Sequence, residues 1–331
     1  MGVGEASRVG LGFSRPHLVV SRCLGFAPCR YDGSVIPAPH VQALAGEVEF
    51  LTVCPEMALG LPSPRPPLRL VGGGEPRLLQ PATGRDFTEA MRRFADEFLS
   101  SLPAVDGFLL KNRSPSCGIS DAKVYASVEK GGAVARRAGL FGGAVRDRFP
   151  HLPVEDEGRL TNRALRESFL TAAFALASLR ETEAGGRLRD LVAFHSRYKL
   201  LLMALSQKAL AELGRIVANP TRRPTPQVFS QYRTTFEAAL RRPLRRPSAA
   251  NALLHAFGYV SEGLSAGERA YFLEALEDYR TGRVPLSAPV GVLRAWIVRF
   301  DVAYLADQRL FFPFPASLLS PEDSAGGREI R

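Results

Sequence analysis

Residues 18–23 read Leu-Val-Val-Ser-Arg-Cys, a short β-rich apolar run that leads into a cysteine. The pattern recurs at residues 48–53, Val-Glu-Phe-Leu-Thr-Val, which run into Cys54. It recurs again at residues 107–110, Gly-Phe-Leu-Leu, which precede a loop containing Cys117. Apolar runs of this length, bounded by polar turn residues, predict β-strands. Three predicted strands are therefore each followed by a cysteine.

The chain between these strands has helical periodicity. Residues 86–102 place large apolar side chains on one helical face, and Asp86 with Glu89 predicts a capping box at the helix start. A fourth predicted strand, Leu152–Val154, runs into the acidic residues 155–157. Strands that alternate with helices predict a mostly parallel α/β sheet, whose strands end at one shared edge. We therefore expect the three cysteines to meet in one crevice.

The second half of the sequence predicts helices only. Segments with helical periodicity and Pro or Gly near their ends are Thr161–Glu181, Arg187–Ala218, Pro226–Arg241, Ser248–Glu262, Ser265–Thr281 and Val290–Phe311. The pattern changes near residues 155–160, which places a domain boundary there. We predict an α/β N-terminal domain with a mostly parallel sheet over residues 1–158, followed by an all-α C-terminal domain over residues 159–331.

Length and composition limit the class of protein. The chain has 331 residues, of which 46% are hydrophobic and 23% are charged, enough apolar material for two cores. No apolar run approaches the ~18 residues of a membrane span, and the N-terminus lacks the apolar core of a secretory signal. These features predict a soluble, cytoplasmic protein with no membrane partner. Four cysteines are too few for a disulfide framework, so we expect free thiols.

Positive charge is concentrated in one segment of the chain. The formal net charge is +10, and residues 187–250 alone carry thirteen Lys and Arg against three Asp and Glu. Residues 1–160 are nearly balanced, with nineteen basic residues against seventeen acidic ones. A solvated basic helical face is the simple alternative, but this concentration favours a polyanionic partner.

Three thiols at one sheet edge permit several interpretations. Inert core cysteines are one, but Cys54-Pro55-Glu56 and residues 114–118 are polar, turn-forming stretches unlike a core. Structural zinc is disfavoured, because it usually takes two close cysteine pairs, whereas five residues separate Cys23 from Cys29. Iron–sulfur clusters accept dispersed thiolates, and three ligands on a four-iron cluster leave one iron open for a substrate atom.

Short motifs in the first half resemble those of the thiouracil desulfidase family. They are Ser21-x-Cys23-Leu24, Cys29-Arg30-Tyr31-Asp32-Gly33, Cys54-Pro55-Glu56 with Gly60-Leu61-Pro62-x-Pro64-Arg65-Pro66-Pro67, and Lys111-x-x-Ser114-Pro115-Ser116-Cys117-Gly118. One departure is Leu59-Gly60, where many relatives have two glycines. The second half, with His195-x-x-Tyr198-Lys199-x-x-Leu202, is similar to the YbgA-type domain fused to this family in bacterial tRNA 4-thiouridine desulfidases.

The resemblance implies an activity and a set of site residues. It implies that Cys23, Cys54 and Cys117 hold a 4Fe-4S cluster, that Glu56 is the acid/base group, and that sulfur leaves thiolated uracil without redox change. Cys29 is an uncertain fourth cysteine, which could lie near the cluster or support it when substrate is absent. The residues alone leave two readings for Ser114 and Ser116: hydrogen bonding to substrate or cluster sulfur, or shaping the loop.

The basic helical segment supplies the candidate RNA contacts, because phosphate contacts dominate affinity for nucleic acids. Tyr198 would stack on a base or pack against the other domain. The candidates are Arg187, His195, Arg197, Tyr198, Lys199, Arg222, Arg223, Arg241, Arg242, Arg245 and Arg246. Our hypothesis is a tRNA 4-thiouridine desulfidase that yields uridine and sulfide. The alternatives are a desulfidase of free thiouracil bases and a redox-responsive RNA-binding protein with a sensor cluster.

Overall fold

The computed structural model describes residues 12–129 and 131–319. These residues form two compact units, Arg15–Ala173 and Phe174–Ala316. Residues 12–14 belong to the second unit and residues 317–319 to the first. The division falls inside one long helix, Arg163–Gly185. The domain boundary expected at residue 158 stays a prediction.

The first unit contains all of the strands and four short or medium helices. The strands are β1 (His17–Ser21), β2 (Glu49–Val53), β3 (Arg69–Val71), β4 (Arg77–Gln80), β5 (Arg85–Asp86), β6 (Gly107–Leu110), β7 (Ala122–Tyr125), β8 (Ala133–Arg137) and β9 (Val154–Asp156). The helices are α1 (Pro39–Gln42), α2 (Pro55–Ala58), α3 (Thr88–Ser101) and α4 (Leu140–Arg148). This unit is the predicted α/β domain.

A four-stranded parallel sheet carries the three strands predicted to precede cysteines. Its strand order is β2-β1-β6-β9, and every neighbouring pair is parallel. Val19 in the central strand β1 pairs with Leu51 on one side and Phe108 on the other. The parallel sheet is confirmed, although β9 begins at Val154, two residues later than predicted. The order places the ends of β2, β1, β6 and β9 along one edge.

A second, five-stranded sheet was not predicted. Its order is β5-β4-β3-β7-β8, and its pairs are antiparallel except for β3 with β7. Its strands are only two to five residues long and mix apolar with charged residues without a sustained alternation, so they give a weak sequence pattern. One face, with Leu70, Leu78 and Val124, packs into the same core as Met91 of α3 and Phe141 of α4.

The predicted capping box of α3 is wrong. The helix begins at Thr88, and Asp86 lies in strand β5, where it pairs with Leu79. The Asp86 carboxylate accepts a hydrogen bond from the Thr88 backbone N–H at 2.8 Å and forms an ion pair with Arg77. Strand pairing and this ion pair therefore hold Asp86 outside the helix.

The second unit is built from helices, as predicted. The helices from α5 onward are α5 (Arg163–Gly185), α6 (Leu188–Leu205), α7 (Gln207–Ala218), α8 (Thr225–Leu240), α9 (Arg246–Phe257), α10 (Ala266–Thr281), α11 (Ser287–Arg299) and α12 (Ala303–Ala306). The capping box of Ser265 and Glu268 at the start of α10 is confirmed. No helix in the described ranges is long and apolar enough to cross a membrane.

Two predicted long helices are each divided in the structure. The helix expected over 187–218 breaks at Ser206, whose extended backbone lets its hydroxyl accept the Ala209 N–H at 3.2 Å and begin α7. The helix expected over 290–311 ends at Arg299, and Asp301 adopts a left-handed conformation with φ 47° before α12. Neither break contains Gly or Pro, so the periodicity alone did not reveal it.

Candidate active site

The candidate site lies at the carboxyl edge of the parallel sheet. Cys54 directly follows β2, Cys23 lies two residues after β1, and the loop with Cys117 follows β6. Strand β9 ends at Asp156, a buried residue, at the same edge. Residues from four neighbouring strands therefore meet there, as the position of ligand sites in open α/β sheets leads one to expect.

All four cysteines are free thiols that cluster at this edge. The Cys29 thiol is hydrogen-bonded to the thiols of Cys23 and Cys54, and the Cys54 thiol also donates to the Cys29 carbonyl oxygen at 3.7 Å. Cys117 is 6% exposed and is close enough to Cys54 for the charges of the two thiolates to interact. The structure thus brings together the three predicted ligands and the uncertain fourth cysteine.

The thiols lie in surroundings that disfavour their charged form. The hydrogen bond from Cys23 raises the pKa of Cys29, and the hydrogen bond from Cys29, together with burial, raises the pKa of Cys54. Burial raises the pKa of Cys117 to about 12, although hydrogen bonds with Ser21 and Ser114 act in the opposite direction. Such thiols become thiolates when a metal centre replaces their protons.

The donor set fits an iron–sulfur cluster better than a single metal ion. Among residues 12–129 and 131–319, no three His, Cys, Asp or Glu side chains are arranged to hold one metal ion. Thiolates that hold a cluster bind different irons, so they need not converge on one point. Three or four thiols around one sheet edge, with no histidine among them, match that requirement. Cys23, Cys54 and Cys117 would hold the cluster.

The loop that carries Cys117 is shaped by Ser114 and by glycines. The Ser114 hydroxyl accepts hydrogen bonds from the backbone N–H groups of Ser116 at 3.2 Å and Cys117 at 3.0 Å. A Cβ atom on Gly142, in the first turn of α4, would lie 2.5 Å from the Cys117 carbonyl oxygen. One on Gly139 would lie 2.5 Å from the Ser116 carbonyl oxygen. Ser114 therefore shapes the loop, which packs directly on the backbone of α4.

Glu56 lies in the first turn of α2, two residues after Cys54. Its side chain is 12% exposed. One carboxylate oxygen, Oε1, accepts a hydrogen bond from the Ser116 hydroxyl at 2.8 Å. The other, Oε2, accepts two from the Arg65 guanidinium, at 2.9 and 2.7 Å. The predicted acid/base residue is therefore held between the Cys117 loop and a buried cation.

Arg65 is a site residue that sequence reasoning missed. It is 7% exposed, and its Nη1 donates to the carbonyl oxygens of Cys29 at 3.1 Å and Pro62 at 3.0 Å. Its remaining donors hold Glu56. An arginine seldom lies in a core without a carboxylate partner. The available signal was its place within the proline-rich motif at residues 62–67, but a sequence does not reveal that the side chain is buried.

Ser21 and Lys111 connect the strand ends to each other. The Ser21 hydroxyl accepts a hydrogen bond from the Lys111 backbone N–H at 2.9 Å. The Lys111 ammonium group forms an ion pair with Glu157, just beyond β9. Glu157 also accepts the Asn112 N–H at 2.9 Å. Ion pairing therefore occupies Lys111 within the wall of the site.

The candidate RNA contacts fall into two groups. Exposed residues are Arg187, Arg222, Arg241, Arg242, Arg245 and Arg246, and partly buried ones are His195, Arg197, Lys199 and Arg223. Arg187 pairs with Asp190, and the Arg223 backbone and side chain bond Asn219. The Arg246 guanidinium lies against Gly282, at the C-terminal end of α10. Arg222, Arg241, Arg242 and Arg245 have no ion pair in the described part of the chain.

Tyr198 and His195 belong to the helical core. Tyr198 is 2% exposed and stacks on Phe194, with the ring centroids 4.4 Å apart. Stacking of an RNA base on Tyr198 is therefore a wrong prediction, since the ring is already packed. His195 Nδ1 lies 3.1 Å from the Tyr232 hydroxyl, and burial together with Lys199 lowers the pKa of His195. The lowered pKa makes His195 a poorer candidate for a phosphate contact.

Comparisons with known proteins match the two halves separately. A family model described as 2-thiouracil desulfurase matches residues 18–157, and a model described as a protein of unknown function, DUF1722, matches residues 199–315. The uncharacterized protein YbgA of Escherichia coli K12 is 31% identical over 151 residues, which are 45% of this chain and 89% of YbgA.

A second protein and a solved structure are also similar to parts of this chain. The uncharacterized protein YbbK of Bacillus subtilis 168 is 35% identical over 109 residues, 30% of this chain and 72% of YbbK. A structure described as the [4Fe-4S]-dependent thiouracil desulfidase TudS is 34% identical, with a TM-score of 0.38, and the match covers 46% of this chain and 99% of TudS. On the family models and the identities with YbgA and YbbK, the chain belongs to the 2-thiouracil desulfurase family and also carries a DUF1722 domain of the YbgA type.

Proposed function

We propose that this protein removes sulfur from 4-thiouridine in tRNA with the help of a 4Fe-4S cluster, giving uridine and sulfide. The observation that carries the proposal is the carboxylate of Glu56, which is fixed by Arg65 and Ser116 beside four clustered thiols. Membership of the 2-thiouracil desulfurase family supports the reaction type. The choice of tRNA is supported by the excess of basic residues in the helical unit.

The overall reaction is a hydrolysis without redox change. Water supplies the oxygen of the new C=O group, and the C=S carbon releases sulfur as hydrosulfide. When bound, a cluster held by three cysteines supplies one iron free of protein ligands, a soft Lewis acid suited to thiocarbonyl sulfur. Glu56 Oε1 accepts a proton from the attacking water and returns it to the leaving sulfur, and the second proton of that water is released to solvent as the C–S bond breaks and the C=O group forms.

The two oxygens of Glu56 have different tasks. Oε2 is occupied by two hydrogen bonds from Arg65, so its position is fixed and its negative charge is compensated. Oε1 has one partner, the Ser116 hydroxyl, which can rotate away or donate while water approaches. The ion pair thus fixes the position of the carboxylate and orients Oε1.

Nucleoside mass spectrometry of thiolated bacterial tRNA tests this proposal. After anaerobic incubation with cluster-reconstituted protein, we expect 4-thiouridine to decrease, with an equal gain of uridine and release of sulfide. Free 4-thiouracil and 2-thiouracil are assayed in parallel. Turnover of the free bases with intact tRNA thiouridine would make the protein a desulfidase of free bases. A cluster that binds and changes redox state while no sulfur is released from either would support a sensor instead.

A charge-removal series tests the role of the helical unit. We expect replacement of Arg222, Arg241, Arg242 and Arg245 by Gln to weaken tRNA binding, because these exposed arginines lack an ion pair in the described part of the chain. The slope of log affinity against log salt should flatten by about 0.7–0.9 for each phosphate that the protein no longer neutralises. Filter binding at several salt concentrations measures it.

The matched control removes four other exposed arginines of the same unit. The control replaces four arginines by Gln and so changes the net charge by the same amount: Arg269, Arg280, Arg283 and Arg299. Three of them, unlike the arginines of the test variant, already pair with Glu or Asp side chains. The control should keep the wild-type slope. Equal salt slopes in both variants and the wild type would show that these arginines of the helical unit do not bind tRNA. Turnover of free thiouracil, which needs no tRNA binding, measures the desulfidation separately.

A further inference from the structure

The outward-facing side of the second sheet carries a row of three cations. Lys123 of β7 pairs directly with Arg136 of β8. Leu70 of β3 pairs with Val124 of β7, so Arg69 lies beside Lys123 in the same register. Residues that are paired across neighbouring strands point to the same face of a sheet. We call Arg69, Lys123 and Arg136, with Tyr125, the outer sheet face.

This face points away from the core. Leu70 and Val124, the alternate residues of the same strands, are buried in the core, whereas Lys123 and Arg136 are exposed. Neither of these two cations, nor Arg69, forms an ion pair in the described part of the chain. On the same face, Asp86 of β5 is paired with Arg77 of β4, so its carboxylate is already neutralised. The outer sheet face therefore keeps a net positive charge within the α/β unit.

The row is unfavourable for the sheet itself. Like charges placed directly opposite each other destabilise an antiparallel pair. The Arg69 guanidinium lies over the Tyr125 ring, 4.8 Å from its centroid, which holds it flat on the sheet but does not neutralise it. Neighbouring strands are ~4.8 Å apart, so the three charges begin within ~10 Å of each other. An anionic partner with closely spaced charges would relieve this repulsion.

We propose that the outer sheet face binds the phosphate backbone of RNA, and that the α/β unit thereby makes its own contacts with tRNA. A single carboxylate or phosphate would meet only part of the row, whereas a nucleic-acid strand presents successive phosphates to a flat basic surface. The inference rests on the proposed function in that the RNA is the tRNA substrate. The candidate RNA contacts predicted from the sequence lie in the helical half, because the excess of positive charge lies there.

Two variants of the full-length protein test the proposal. Lys123→Glu puts a carboxylate between Arg69 and Arg136. We therefore expect its melting temperature to be no lower than that of the wild type, and up to roughly 4 °C higher. The same change should weaken binding of unfractionated bacterial tRNA by roughly 10-fold at low salt. The triple variant Arg69→Gln, Lys123→Gln and Arg136→Gln should flatten the salt slope by roughly 2–3.

The matched control changes Arg92, Arg93 and Arg148 to Gln, on α3 and α4, which pack on the opposite side of this sheet. It removes the same charge and should keep the wild-type slope. Equal slopes for the wild type, the triple variant and the control would overturn the inference, as would equal flattening in both variants. If the wild type removes 4-thiouridine from tRNA but the triple variant keeps the wild-type salt slope, this inference fails and the proposed function stands. If the triple variant has a flatter salt slope but the wild type leaves 4-thiouridine intact, the outer sheet face binds RNA and only the proposed function fails.

Discussion

Glu56→Gln should keep the cluster and lower turnover of thiolated substrate by about 10²–10⁴-fold. Glutamine has nearly the same shape, but its amide group does not accept the proton from water. The hydrogen bond between Ser116 and Oε1 and the two bonds from Arg65 to Oε2 show that both carboxylate oxygens are held in place. Single-turnover sulfide release, with protein of equal iron content, measures the effect.

Arg65→Lys is the matched positioning variant. Lysine keeps the positive charge but lacks the planar fork that reaches Glu56 together with the carbonyls of Cys29 and Pro62. We expect a smaller decrease in turnover than in Glu56→Gln, with a lowered kcat and a nearly unchanged KM, because the variant changes how Glu56 is held. Wild-type turnover in Glu56→Gln would contradict the assignment of Glu56 as the base.

Replacing Cys23, Cys54 or Cys117 by Ala should each abolish the brown absorbance of anaerobically reconstituted protein and, with it, turnover. Each of these cysteines follows a different strand of the parallel sheet, so each substitution removes the thiol from a different side of the proposed site. Iron and sulfide content and the visible spectrum measure the cluster. Full cluster retention in one variant would remove that residue from the ligand set.

Cys29→Ala is the control for that series. The Cys29 thiol is buried and contacts the thiols of Cys23 and Cys54, so its removal perturbs the same region. We expect this variant to retain the cluster, since three ligands leave one iron open for substrate. Absence of the cluster in Cys29→Ala, with an unchanged melting temperature of the cluster-free protein, would instead make Cys29 the fourth ligand.

The sequence predicted the part of the fold in which each element has a strong pattern of its own. The strands before Cys23, Cys54 and Cys117 are short apolar runs with polar turns after them, and the rule that parallel strands end at one edge then places the thiols together. The second sheet was not predicted because its strands are short, and because the pairing of β3 with β7 joins residues that are distant along the chain. Arg69 and Lys123 lie in strands of three and four residues whose charged positions resemble loops.

The site could be predicted only as far as its reactive groups. Glu56 and the cysteines have recognisable chemistry and neighbours in sequence, whereas the role of Arg65 follows from tertiary burial. Tyr198 shows that a residue with suitable chemistry can also lie outside a binding surface. Its place on a basic helix left base stacking and packing against the other domain as alternatives, but the ring is packed against Phe194 of its own helix.

The close approach of α4 to the Cys117 loop limits how the specificity of this protein can be engineered. Backbone lies against backbone at Gly139 and Gly142, so libraries that vary these glycines would mostly yield chains with a displaced Cys117. The segment from Arg22 to Ile36 is different, because Phe26 and Tyr31 there are 40% and 45% exposed. Attempts to accept bulkier thiolated bases should therefore diversify exposed side chains in that segment and leave the two glycines unchanged.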